Sequence, residues 1–349
     1  MLYRNGGVSM IDSIHVENFC QHSALDWGSL GHINLIIGAN SSGKTVLLKS
    51  IYVALKALEQ CGKGQDKRSL AEILADKLYW TFQTEKLGDL VQKGQSSLSF
   101  TMEGEDRQFS YRFGRDTKQK ISQIKNNFTT PREIHSIFIP AKEVLSLFQV
   151  ISKSRDQDSM FGFDDTYLDL VKALQMPSKK GNNYKAFMDG KKLLAQLIHG
   201  HIEYDDASGE WYYKRGNSRF PIGTTSEGIK KVSIFSKLLS NRYLNTDSIV
   251  FIDEIESALH PNAVIQYLNM IHELSQAGMQ FFIATRSYFV IKKMYLLARE
   301  NEESLPVLSL AEGKEPLFQN MKDGMPENSI IDTSVKLYEE EVELAMNGK

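Results

Sequence analysis

The chain has 349 residues, with 41 Lys+Arg against 43 Asp+Glu and a hydrophobic fraction of 42%, enough for about two domains or one domain with a large insertion. A net charge of −2 excludes a global polycation and leaves nucleic-acid binding to a local patch. Two cysteines, Cys20 and Cys61, exclude a disulfide framework and suit a reducing, cytoplasmic setting, while no run of 18 apolar residues and no secretory h-region indicate a membrane span or export.

Residues 1–9 read as a disordered leader or a misassigned start, with a cleaner pattern from Met10. Residues 11–19 read as a strand, with Ile11, Ile14, Val16 and Phe19 apolar. The buried run Ile33-Asn34-Leu35-Ile36-Ile37 leads into Gly38-Ala39-Asn40-Ser41-Ser42-Gly43-Lys44-Thr45, which fits the phosphate-loop pattern G-x-x-x-x-G-K-[ST]. Leu47, Leu48, Ile51, Leu55 and Leu58 then repeat at helical spacing. Strand, glycine loop and helix start aim backbone N–H groups at one point, which suits a polyphosphate. Gly38 through Val46 are the expected nucleotide-binding residues. Lys44 would reach the β- and γ-phosphates, and the Thr45 hydroxyl would hold Mg²⁺.

Residues 61–69 read as a loop and 70–80 as a helix. Alternation at 97–100 and 109–113 around Gly104-Glu105-Asp106 predicts a hairpin. Residues 134–140 read as a short core strand. A mostly helical insertion is expected at 142–200, its first helix opening with Leu145, Leu147, Phe148 and Val150. Its lysine-rich stretch 178–192 reads as a solvated face rather than a nucleic-acid contact. A strand pair is expected at 202–204 and 211–214.

Ile229, Val232, Phe235, Leu238 and Leu239 mark a helix opened by Thr224-Thr225-Ser226-Glu227-Gly228. Thr224 and Glu227 have capping-box spacing. Gly228 weakens a first turn, yet permits close approach of another group such as a phosphate. Ser248-Ile249-Val250-Phe251-Ile252-Asp253-Glu254 reads as a buried parallel strand ending in two carboxylates. Asp253 would hold Mg²⁺, and Glu254 would orient and deprotonate the attacking water. The strand 281–283 runs into Ala284-Thr285-Arg286-Ser287. The acidic run at 339–341 reads as a solvated helix face. The division expected is 10–141 and 201–310 for the two parts of an ATPase core, with 142–200 as insertion and 311–349 as a helical tail.

The order of P-loop, S-x-G-x-K helix and hydrophobic strand ending in Asp-Glu resembles the ABC-type ATPases. Within them it is similar to the branch of the overcoming-lysogenization-defect (OLD) proteins, Rad50 and SMC. It most resembles stand-alone AAA_15/AAA_21 ATPases, including those of the anti-phage systems PARIS, Septu and Gabija. Ser226-Glu227-Gly228-Ile229-Lys230 matches that branch's signature better than the transporter LSGGQ, and residues 251–261 match its Walker B strand and following loop, with Ile255 where proline is common.

The resemblance implies an α/β P-loop fold of ABC type, a mixed sheet core with an antiparallel β lobe and the helical insertion. It implies a homodimer or higher oligomer in which ATP with Mg²⁺ lies between the P-loop of one subunit and Ser226, Glu227, Gly228 and Lys230 of the other. It implies ATP hydrolysis by Glu254, Lys44 and Arg286. Arg286 stands where the family has a histidine that contacts the γ-phosphate. As a permanent cation it could serve as an arginine finger, favour binding over turnover, or pair with a carboxylate; the γ-phosphate contact is the preferred reading. Ile139-Pro140-Ala141-Lys142-Glu143 resembles the family's I-P-A-x-R element. The expected role is a sensor or regulator in an anti-phage or toxin–antitoxin-like module, with a separate effector or toxin polypeptide. The alternatives are an ATP-holding scaffold with little turnover and a DNA repair or recombination ATPase.

Overall fold

The computed structural model describes residues 10–128, 135–178 and 184–347. The leader expected at 1–9, residue 134 of the expected core strand, and Lys179 and Lys180 of the lysine-rich stretch lie outside the described residues. In chain order come β1 (Ser13–Phe19), β2 (His22–Trp27), β3 (Ile33–Gly38), α1 (Lys44–Gln60), α2 (Leu70–Phe82), β4 (Ser97–Gly104), β5 (Arg107–Gly114), β6 (Gln123–Asn126) and β7 (Ser136–Ile139). Then follow α3 (Phe148–Ser152), α4 (Asp165–Gln175), α5 (Lys185–Ile198), β8 (His201–Asp205), β9 (Glu210–Arg215), β10 (Ser218–Pro221) and α6 (Glu227–Ser240). The remainder is β11 (Ile249–Asp253), α7 (Pro261–Gln276), β12 (Gln280–Thr285), α8 (Tyr288–Glu300), β13 (Pro306–Leu310), β14 (Leu317–Asn320) and α9 (Ser329–Met346).

The central sheet has the order β14-β13-β3-β12-β11-β7 and is parallel except for β14 at its edge. Its inner strands are apolar on both faces, as a parallel sheet covered on both sides requires. Successive residues of β3 divide between two cores. Leu35 and Ile37 face the helices α4 to α8, and Ile36 faces α1 and the N-terminal β lobe. That lobe is the antiparallel sheet β2-β1-β4-β5-β6. Gln280, fully buried at the start of β12, fastens the lobe to the central sheet. Its side chain accepts from Ile11 N and donates to the Ile11 and Gly31 carbonyls.

Five strands were not anticipated: β2, β6, β10, β13 and β14. The segment 142–200 is mostly helical, but it does not stand apart as a lobe. Leu170, Val171, Leu174, Phe187 and Leu194 pack in the same core as β3, β11 and β12. Its first helix begins at Phe148 rather than near Leu145, because a bend and turn occupy the intervening residues. The segment 311–349 contributes β14 to the sheet before α9 begins. A third small sheet, β10-β9-β8, leads the chain into α6.

Candidate nucleotide-binding site

Strands β3, β12 and β11 are neighbours, and each ends at the same rim of the sheet. The loop after β3, the carboxylates Asp253 and Glu254 at the end of β11 and Arg286 after β12 therefore converge, at the carboxyl ends where open α/β sheets place ligands. The cavity there, about 370 Å³, is lined by Gln21, Asn40, Ser41, Gly43, Lys44, Thr45, Val46, Glu254 and Arg286.

The loop's glycines are forced by their surroundings. A Cβ on Gly38, whose φ is +158°, would run into the Leu310 carbonyl and lie 2.6 Å from Ser42 Oγ. Gly43 has φ +95°, and a Cβ there would lie 2.6 Å from the His22 ring. Gly43 is the N-cap of α1, so no side chain caps that helix, and no acidic residue stands in its first turn. Its leading N–H groups are open to an anion. Lys44 Nζ donates to the carbonyls of Gly38 (2.8 Å) and Ala39 (2.7 Å). Burial holds this ammonium below its ordinary pKa, against the pull of Asp253 and Glu254.

Thr45 Oγ1 donates to Asp253 Oδ2 at 2.8 Å. Asp253 is 7% exposed, and its Oδ1 has no hydrogen-bond partner among the described residues. Burial pushes this carboxyl above its usual range, with the Thr45 bond opposing. An unpartnered buried carboxylate oxygen beside an alcohol is a hard oxygen donor set, and it fits Mg²⁺. Among the described residues no group of three His, Cys, Asp or Glu side chains forms a separate metal cluster.

Glu254 projects from the turn after β11 with φ +46°. Its carboxylate is paired with Arg286 (Nε to Oε1, 3.2 Å), whose Nη1 also donates to Asn40 Oδ1 at 3.0 Å. Arg286 thus bridges the P-loop and the acidic turn. Glu256 secures the same turn to the end of β12, accepting from Thr285 Oγ1 (2.9 Å) and Arg286 N (3.2 Å).

Ser226, Glu227, Gly228 and Lys230 do not line this cavity. The expected Thr224–Glu227 capping box is absent. Thr224 closes a 3-10 turn, Ile222–Thr224, and its hydroxyl donates to Pro221 O, so the N-cap of α6 is Ser226. Ser226 is exposed and its side chain makes no cap bond. Gly228 meets its own chain: a Cβ there would lie 2.8 Å from Ala258 O. Lys230 is 3% exposed and points inward, donating to Ser146 Oγ (2.7 Å) and Glu227 Oε1 (2.8 Å) and pairing with Glu143 (3.5 Å). Glu143 is therefore occupied beneath α6, and neither it nor Lys142 lines the cavity.

Three contributors were missed from the sequence. Gln21 and His22, in the β1–β2 hairpin, sit against the P-loop, and His22 Nε2 donates to Gly43 O at 3.2 Å. No local motif marks them. Lys231, on α6, is the third: its Nζ donates to the Glu254 carbonyl at 2.6 Å.

Fold and site together define an ATPase-like P-loop domain with the α/β fold of the SMC heads. Residues 33–292 match the family described as "AAA domain, putative AbiEii toxin, Type IV TA system", and the chain belongs to that family. Among solved structures, it is similar to the one described as "Crystal structure of the SmcHead bound to the C-winged helix domain of ScpA". The identity is 14% and the TM-score 0.54, over 90% of this chain and 99% of that one. It is also similar to an Smc head domain with an extended coiled coil bound to the C-terminal domain of ScpA from Pyrococcus furiosus. There the identity is 12% and the TM-score 0.51, over 95% and 98% of the two chains. A search of curated proteins finds no match. No helix among the described residues is long and apolar enough to cross a membrane.

Proposed function

We propose that this chain binds ATP with Mg²⁺ at residues 38–46 and hydrolyses it. The observation that carries this reading is the Thr45–Asp253 bond with Asp253 Oδ1 left unpartnered beside the P-loop. Thr45 and Asp253 are the residues that would hold Mg²⁺, which when bound offsets phosphate charge. The loop N–H groups and the start of α1 cradle the phosphates. Lys44 exchanges the Gly38 and Ala39 carbonyls for the β- and γ-phosphates. Glu254 takes the proton of the attacking water, and Arg286 moves from Glu254 to the γ-phosphate.

Ser226 and Glu227 are exposed and lie away from this chain's own cavity. This supports a homodimer in which the start of α6 closes over the nucleotide of the partner, with higher oligomers built from such dimers. Lys230 then supports the turn from behind. We read the ATPase as the regulator of a toxin–antitoxin-like or defence module with a separate effector. The family's description names a Type IV toxin–antitoxin system, and the similar SMC head is bound to a partner domain. The scaffold reading, with little turnover, is favoured by one observation: the Arg286–Glu254 pair ties up the base.

The test is Glu254→Gln. ATP binding should persist while phosphate release falls about 100-fold or more. Turnover equal to wild type would overturn hydrolysis by this site, and a wild type that binds ATP without releasing phosphate would establish the scaffold.

A further inference from the structure

Glu254 stands at φ +46°, a left-handed conformation that non-glycine residues adopt where surrounding structure imposes it. Three bonds impose it. Glu254 N donates to Ala284 O at 3.0 Å, and Ser257 N donates to Glu254 O at 2.9 Å. The third comes from another element: Lys231 Nζ, on α6, donates to Glu254 O at 2.6 Å.

Lys231 is 2% exposed. A buried ammonium held by a carbonyl is a costly way to fill space, and an apolar side chain would pack there at less expense. The same helix touches the turn a second time. Gly228 lies so close to Ala258 that a Cβ would sit 2.8 Å from its carbonyl oxygen. The start of α6 therefore grips the segment 254–258 near both ends. On its other side Glu256 fastens the segment to Thr285 and Arg286. The face of α6 left open, at Ser226 and Glu227, is the one read above as closing on a partner's nucleotide.

We propose that Lys231 is a positioning residue through which the start of α6 sets the Glu254 carboxylate, so that engagement of α6 by a partner's nucleotide controls hydrolysis in this subunit's own site. This rests on the dimeric ATPase reading. Lys231 touches no nucleotide. It acts on the backbone that aims the base, and it couples the two sites of a dimer through one side chain.

The experiment compares wild type, Lys231→Met and Lys231→Arg as full chains, with Lys231→Leu standing in for the Met variant if that does not fold. Steady-state phosphate release, fluorescent-ATP affinity and hydrogen exchange of residues 253–259 are measured together. In Lys231→Met, kcat should fall tenfold or more with KM and ATP affinity within twofold of wild type, and exchange over 253–259 should quicken. Lys231→Arg, which keeps a donor, should restore kcat to within threefold. A Met variant with kcat within twofold of wild type, or one that loses ATP affinity in parallel with kcat, overturns the proposal. A wild type without turnover defeats the hydrolytic reading separately, and exchange then decides the role of Lys231: an unchanged rate over 253–259 overturns it. For the link between subunits, ATP should slow exchange at 253–259 in Glu254→Gln and fail to do so when Lys231→Met is added; equal protection in both overturns the relay.

Discussion

Arg286 offers the sharpest perturbation, because its present partners and its proposed one compete. The guanidinium pairs with Glu254 at 3.2 Å and with Asn40 at 3.0 Å, and its side chain is 49% exposed against 26% for Glu254. An ion pair that open to solvent contributes up to about 1 kcal/mol. A hydrogen bond to a charged γ-phosphate oxygen contributes about 1.5–3 kcal/mol. Moving from one to the other leaves a net of about 1–2 kcal/mol, a factor of about 5–30. Arg286→Ala should therefore weaken ATP binding about 5–30-fold and leave ADP within twofold. Losing so exposed a pair should shift Tm by no more than about 2–4 °C. Titration with fluorescent ATP and ADP, thermal melts and phosphate release measure all three effects. Equal loss of ATP and ADP affinity, or no loss of either, refutes the γ-phosphate contact. A rise in phosphate release refutes a transition-state role and makes Arg286 a restraint on Glu254.

His22 supplies a pH test. Burial holds its imidazole below the ordinary 6.5, with the bond to Gly43 opposing. The unfolded chain then takes up the proton first, so stability should fall as pH drops below 6.5 toward the lowered folded value. His22→Gln should flatten the acid side of a Tm–pH curve, and an unchanged slope would rule out the buried contact on Gly43. At Asp253, replacing a buried, half-partnered carboxylate by an amide removes a desolvation cost. Asp253→Asn should therefore hold or raise Tm without nucleotide. It should also lose the added stability that saturating ATP with Mg²⁺ gives wild type, which is about 2.7 kcal/mol at 100-fold over Kd. Retention of that Mg²⁺-dependent gain would remove Asp253 from the metal site.

What could be read from the sequence was local. Gly38 to Thr45 and Ser248 to Glu254 each sit within one strand–loop unit, and adjacent residues carry the whole signal. The parallel order of β3, β12 and β11 then brings the two together. The Thr224 capping box failed because spacing cannot register the 3-10 turn that draws Thr224 back to Pro221. The neighbour that Gly228 has in its own chain, the Ala258 carbonyl, could not be read from spacing, because the two are brought together only by the fold. Strand β2 escaped notice because its buried positions include His22, a polar side chain whose role depends on the distant Gly43. The helices of 142–200 were read as an addition, since apolar periodicity shows that a face is buried but not which surface covers it.

The sheet order has a consequence for the making of the protein. Strand β3 leaves the ribosome early, but the strands on either side of it are β12 and β13, with Leu35 set against both Ile283 and Val307. Contacts so distant in sequence form late and slowly. Until they form, Gly38 lacks the Leu310 carbonyl beside it and Thr45 lacks Asp253. A nascent or truncated chain carries the complete phosphate-loop motif and yet no assembled pocket, so a nucleotide distinguishes finished molecules from unfinished ones and stabilises the former alone.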